Sequence, residues 1–301
     1  MSVSAWLQLF LLSVVWGASF FFIEVMLTDI EPITAMWLRF VVGSLGLVMV
    51  TKSLGLKYAV LRDLWKDYAV TGLLISAAPF ILIALGQQSI SGSMTSIIMA
   101  LSPITTMVVA HFLTSDEKLS INKIIGAVLG ITSVVVLMLP NVSGESSIIG
   151  QLMVVLATLC FAFGTIYAKR LHAVPPMLNA LGQCVYAVIW ITPLMVIFES
   201  PAELNPSISS WLAVFGIGFL STTLGFVFFY NILKAGGASN VILVSFLVPI
   251  SASLLGVFIL NETFESEMWV AYVVVIFALL AIDGRIPKVI RTINGSPKIK
   301  E

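Results

Sequence analysis

The sequence predicts an all-α membrane protein: ten transmembrane helices arranged as two inverted five-helix repeats. Three observations predict it. The 301 residues are 59% hydrophobic and 10% charged, with a mean hydropathy of +1.09, whereas soluble domains carry about 25% charged residues. Fifteen basic and fifteen acidic side chains cannot cover a water-facing surface of this size. Basic residues segregate to alternate loops, and punctuation residues recur at a spacing near 145 positions. Zero net charge leaves no basic excess for a nucleic-acid partner. Cys160 and Cys184 lie in apolar stretches and read as small buried thiols, not as a disulfide or a metal site.

A helix crossing roughly 30 Å of hydrocarbon needs about 20 residues. Spans are expected near 5–26, 34–54, 68–88, 93–114, 122–140, 148–169, 177–198, 210–233, 238–260 and 267–286. The first lacks a basic leader and is too long to be a cleaved signal. Pro32 precedes the second, and Pro103 sits inside the fourth. Gly126 and Gly130 in the fifth, like Gly216 and Gly218 in the eighth, let helices approach closely. Gln151 leads the sixth as Gln8 leads the first; Pro176 stands before the seventh and Pro249 inside the ninth.

Lysine and arginine in short loops stay cytoplasmic. Loop 2–3 carries Lys52, Lys57, Arg62 and Lys66, and loop 4–5 carries Lys118 and Lys123. Loop 6–7 adds Lys169 and Arg170, loop 8–9 adds Lys234, and the segment after the tenth span adds Arg285, Lys288, Arg291, Lys298 and Lys300. The opposite loops hold only acids, among them Asp29, Glu31, Glu145, Glu199, Glu203, Glu265 and Glu267. Both termini are therefore expected in the cytoplasm. The organisation read from this is a first repeat over 1–145, a second over 146–286, and a basic cytoplasmic tail over 287–301.

Pro103 and Pro249 are 146 residues apart, and Glu117 and Glu262 are 145 apart. Five spans per half is an odd number, so the second half must be upside down relative to the first. Inverted repeats are a transporter architecture with a site near the midplane.

The motif Trp16-Gly17-Ala18-Ser19-Phe20, Pro32 with Arg39, the two prolines with their following acids, and Gly126 to Gly130 carry a resemblance. With them the chain resembles the EamA family of the drug/metabolite transporter superfamily over about residues 5–286. That resemblance implies a bacterial inner-membrane protein with a central cavity built by spans one, three, four, six, eight and nine. Two departures stand out: Gln183 occupies the position matching Arg39, and the tenth span lacks a matching glycine pair.

Ionisable groups inside spans are costly and point to the interior or to a pathway. Glu24 and Arg39 are the coupling or gate candidates. They form either an ion pair fixing two helices, or a gate in which Glu24 takes a substrate amine or a proton. Trp16, Phe20 and Glu24 share one helix face, as do Phe80 and Gln87, Phe163 and Tyr167, and Thr222, Phe226 and Tyr230. Met99 and Pro103 mirror Ser245 and Pro249. These stripes read either as packing and lipid contact or as cavity lining. Helical spacing, on the spans that the resemblance favours, makes Trp16, Phe20, Phe80, Gln87, Met99, Phe163, Tyr167, Thr222, Phe226, Tyr230 and Ser245 the candidate substrate-binding residues. Pro103 and Pro249 are static kinks or hinges, and His111 is a buried histidine or a proton carrier.

No GxxxxGK[ST] or HExxH motif is present, so ATP hydrolysis and zinc proteolysis are not expected, and neither a catalytic residue nor a cofactor or metal is implied. The expected function is a secondary transporter exporting a small organic metabolite, an amino acid or drug-like compound, by alternating access coupled to protons or exchange. A lipid-linked sugar flippase-type member or an uptake permease of the same fold is the alternative. The expected partners are the small-molecule substrate and membrane lipid. A monomer suffices, without excluding an oligomer.

Overall fold

Hydrocarbon offers no hydrogen bonds, so apolar runs of this length fold as helices that satisfy their own backbone. The computed structural model describes residues 3–114, 120–138, 145–199, 201, 205–236 and 238–283. Helices form at all ten expected positions: α1 (Val3–Met26), α2 (Pro32–Ser53), α3 (Trp65–Gln87), α4 (Gly92–Leu113) and α5 (Ile121–Met138). The second half supplies α6 (Glu145–Ala168), α7 (Pro176–Phe198), α8 (Ile208–Ile232), α9 (Ala238–Ile259) and α10 (Ser266–Asp283). Among the described residues seven helices are long and apolar enough to cross a membrane, and the stretches Ile121–Leu137, Leu247–Ile259 and Ser266–Ala281 are shorter apolar helices. Glu117, Lys118, Glu203 and the basic tail 287–301 lie outside the described residues.

Local chemistry explains the boundaries. Pro32 and Pro176 each open a helix, where a missing N–H costs nothing. Internal hydroxyls return to carbonyls four residues back, Ser13 to Leu9 at 2.8 Å and Thr51 to Leu47 at 2.7 Å. Pro103 interrupts α4 at Ala100–Leu101. Its missing N–H leaves the Met99 carbonyl to the Ser102 hydroxyl, which donates to it at 2.7 Å. Pro249 lies inside an unbroken α9.

Helix pairing follows an exchange rule. α1 packs along α9 and α8, α6 packs along α4 and α3, α2 packs along α7, and α5 packs along α10. Adding or subtracting five exchanges the α1 pairs with the α6 pairs and maps α2–α7 and α5–α10 onto themselves. α3 and α8 also share a defect: each contains a π-helical stretch beginning on glycine, Gly72–Ala77 and Gly216–Leu224. A Cβ on Gly72 would meet the Tyr186 Cβ of α7 at 2.6 Å, and one on Gly218 would overlap Val42 of α2. In the wide turns of α8, Thr222 and Thr223 donate to the carbonyls of Ile217 and Gly218, five residues back.

Side-chain contacts show which helix ends lie together. The end of α1 meets the start of α4, and Glu199 after α7 meets the start of α2. Asp29 after α1 meets Ser207 before α8, and Gly86 of α3 packs on Gly150 of α6. This is the acidic end of the bundle. At the opposite end Tyr167 donates to Asp67 and Asn179 donates to the Leu171 carbonyl, joining α3, α6 and α7. Phe112, Ile208 and Phe258 stand largely exposed on the outside, as suits lipid contact.

Gly182 of α7 faces the ring of fully buried Tyr68, which a Cβ would overlap. Tyr68 cannot retreat, because its hydroxyl donates to Asn179 Oδ1 at 2.9 Å. Gly182→Ala should cost about 1–3 kcal/mol of stability, read as earlier thermal unfolding of the detergent-solubilised protein. Unchanged unfolding would contradict this packing.

Candidate functional site

Arg39 lies seven residues into α2 and is 5% exposed. Its guanidinium stands 3.8 Å from the centre of the Phe80 ring of α3 and 5.7 Å from that of Phe40. Nε donates to Thr222 Oγ1 of α8 at 3.3 Å, while Nη1 has no hydrogen-bond partner. No acid among the described residues lies within ion-pair distance of it. Phe80 meets Phe40 edge-on at 5.5 Å and Phe161 of α6 at 5.6 Å. Phe226 and Tyr230 of α8 stack at 6.1 Å, and buried Cys184 of α7 lies beside the arginine. A desolvated cation–π contact is worth about 2 kcal/mol. That offsets part of the cost of burying the charge and leaves free N–H groups in an aromatic setting.

At the acidic end, carboxylates occupy helix N-termini, where unpaired N–H groups and the helix dipole favour anions. Glu199 accepts from the N–H groups of Ile33 and Thr34 and from the Thr34 hydroxyl, at 2.7, 2.6 and 2.6 Å. Asp29 accepts from the Ser207 N–H and from the hydroxyls of Ser207 and Ser210. These bonds, the Ser207 hydroxyl foremost, hold the Asp29 carboxyl down at about 2, below its ordinary 3.8. Each cap ties the first half of the chain to the second.

The start of α4 takes two acids. Glu24 Oε2 accepts from the Gly92 N–H at 3.0 Å, and Glu262 Oε2 accepts from the Ser93 N–H at 3.3 Å. Their carboxyl groups lie side by side. Glu262 reaches this place through a turn at the end of α9: Asn261 adopts φ 57°, and the N–H groups of Leu260 and Glu262 both donate to the Gly256 carbonyl at 3.0 Å. A Cβ on Gly256 would lie 2.5 Å from Glu262 Cδ, so only glycine leaves room for the carboxyl. Gln87 Nε2 donates to the Phe20 carbonyl at 3.1 Å, and its Oε1 is buried without a partner. A pocket of about 300 Å³ lined by Glu24, Leu27, Thr28, Gln87 and Gln88 opens beside it.

Several sequence expectations need correction. Glu24 and Arg39 form no ion pair; Arg39 turns toward α3 and α8, whereas Glu24 caps α4. Phe163 is 45% exposed, and Phe161 takes the inner position against Phe80. Two residues are about 200° apart on a helix, so these two cannot share a face. Tyr167 closes the far end of α6, donating to Asp67 Oδ1 at 3.1 Å beneath the Arg170 guanidinium. Phe80 and Thr222 do converge on Arg39, and Gln87 joins Phe20 to the Glu24 pocket. Trp16 packs on Phe229 at 5.6 Å, and Met99 and Ser245 are half-buried. Sequence reasoning missed Phe40 and Phe161, read Cys184 only as a buried thiol, and read Glu262 only as repeat punctuation. The signal for Glu262 was an asparagine before it and a glycine six residues earlier, the pattern of a helix-ending turn.

The molecule is thus an apolar helical bundle with acids capping its helices and one arginine buried in its interior. The model of the EamA-like transporter family matches residues 3–139 and again 148–282, and the chain belongs to that family, within the drug/metabolite transporter superfamily. It is 24% identical over 270 residues to the uncharacterized transporter YoaV of Bacillus subtilis, covering 86% of this chain and 90% of that one. It is 23% identical over 278 residues to the uncharacterized inner membrane transporter YedA of Escherichia coli K12, covering 91% and 89%. A solved structure described only as "Crystal structure of protein" shares the fold, with a TM-score of 0.68 at 18% identity over 94% of this chain and 97% of that one. The protein is a multi-pass membrane transporter.

Because folding favours ionised Asp29, its stabilising effect is complete above pH 3.8 and is lost as pH falls through about 2. Asp29→Asn should unfold earlier than wild type at neutral pH and lose less on acidification across that window, followed by thermal melts at stepped pH. Parallel acid profiles would refute this role for the cap.

Proposed function

We propose that the chain is a secondary transporter that exports a small organic metabolite bearing a carboxylate, an amino acid being the simplest such molecule. In this reading all ten helices cross the inner membrane as two inverted repeats, 1–145 and 146–286, with both termini cytoplasmic. The twofold family match, the exchange rule in helix pairing and the segregation of basic from acidic loops support the arrangement. The printed description of YedA as an inner membrane protein supports the location. Transport proceeds by alternating access around the centre, driven by protons or exchange, with Pro103 and Pro249 as the hinges. The chain does no covalent chemistry.

One observation carries the substrate class: Arg39 is buried, faces aromatic rings, and has a nitrogen with no partner. A carboxylate is the ligand a guanidinium fork binds best, through paired charge-assisted hydrogen bonds. Phe40, Phe80 and Phe161 then receive the apolar part. The same buried positive charge repels cationic drugs. Substrate binding would also draw on Thr222, Phe226 and Tyr230 of α8.

Counterflow in proteoliposomes, with a panel of amino acids and aromatic carboxylates beside their methyl esters, tests this. An acid should exchange and its ester should not. Hydrogen bonds to a charged group are worth about 1.5–3 kcal/mol, so Arg39→Gln should slow exchange about 10- to 150-fold, with Arg39→Lys intermediate. Equal transport of acid and ester, or wild-type exchange by Arg39→Gln, would overturn the reading.

A further inference from the structure

We propose that Glu24 and Glu262 bind one shared proton at neutral pH, making the acidic mouth of the bundle a proton site. Two carboxylates are held by consecutive N–H groups, those of Gly92 and Ser93, so they are forced together by the backbone of α4. A helix N-terminus supplies roughly half a positive charge. That offsets one carboxylate in part and cannot neutralise two. Like charges in contact oppose double ionisation.

No basic residue is available to help. The four loops joining α1–α2, α3–α4, α7–α8 and α9–α10 contain no Lys, Arg or His. The neighbours on α3 are the amides Gln87 and Gln88, and those on α4 are Ser91 and Ser93. From the loop after α1 come Asp29, committed to Ser207 and Ser210, and Glu31; from the loop after α9 come Glu265 and Glu267. Every other titratable group in these loops is an acid, so none supplies a compensating positive charge.

Hydrogen-bond supply points the same way. Gln87 is 7% exposed and lines the pocket with Glu24, yet its Oε1 lacks a donor, and so does the buried Glu262 Oε1. A carboxylate pair accepts only. One added proton on Glu24 turns a carboxyl oxygen into a donor, which the buried Glu262 oxygen can accept. Among the described residues no group of three or more acidic, histidine or cysteine side chains could hold a metal ion. A proton needs only the two oxygens already in contact, and the pocket of about 300 Å³ provides its path to water.

The link from this proton to substrate movement rests on the transporter reading, whereas the shared proton does not. Infrared difference spectroscopy of the protein in lipid, without substrate, separates the two. Wild type should show a protonated-carboxyl stretch at pH 7 that titrates away at alkaline pH. Glu24→Gln and Glu262→Gln should each abolish it, and Gly256→Ala, which pushes the Glu262 carboxyl aside, should weaken it. Where Glu262→Gln does not fold, Glu24→Gln and Glu24→Asp decide. Absence of the band at pH 7, or a full band in the glutamine variants, would overturn the proposal. So would a sodium-dependent rise in melting temperature with no band, which would assign the site to a metal cation. A band present beside failed counterflow would leave the proton site standing and remove the carboxylate-substrate reading alone.

Discussion

A solvent that cannot hydrogen-bond dictates this molecule. Inside hydrocarbon each unsatisfied N–H or C=O costs several kcal/mol, so the chain is helical wherever it meets lipid. The informative places are those where helical bonding is incomplete, and at four of them named side chains fill the gap. Glu199 fills the start of α2, Asp29 the start of α8, and Glu24 with Glu262 the start of α4. Ser102 takes the carbonyl that Pro103 releases. Acids near the helix ends thus close the starts of other helices, and Glu199, Asp29 and Glu262 do it across the two halves.

The two halves match in helix pairing and in one local defect, and they differ at the buried charge. The π stretches at Gly72 and Gly216 match, and the helix pairs exchange under one rule. Arg39 does not match, since its counterpart is Gln183, buried beside Cys184. In the proposed reading this single buried cation is the one polar anchor for a substrate. Glycine makes the close approaches possible, because α2 meets α8 through Gly43 and Gly46, where a Cβ would strike Thr222 and Thr223. Thr222 also accepts from Arg39, and both threonines hold α8 in its wide turn.

Helix positions were legible in the sequence because apolar runs, proline openings and loop charges all agreed. Arg39 was legible as an ionisable group deep in an apolar span. Rotation about each helix axis was not. α6 is apolar nearly all round, so periodicity could not choose Phe161 over Phe163, and only packing against Phe80 decides. The pairing of Glu24 with Arg39 was inferred from depth alone, and helix rotation separates them. Glu262 escaped because it acts beyond a helix end, where its reach depends on the left-handed Asn261 and the space over Gly256.

Cys184 offers the most direct probe of the proposed alternating access. It is fully buried beside Arg39, and Cys160 on α6 is the other cysteine. In a Cys160→Ser background, a membrane-impermeant thiol reagent would be applied to right-side-out and to inverted vesicles. Alternating access predicts labelling of Cys184 from both faces. Labelling from one face only, or from neither, would contradict a central site reached in turn from each side.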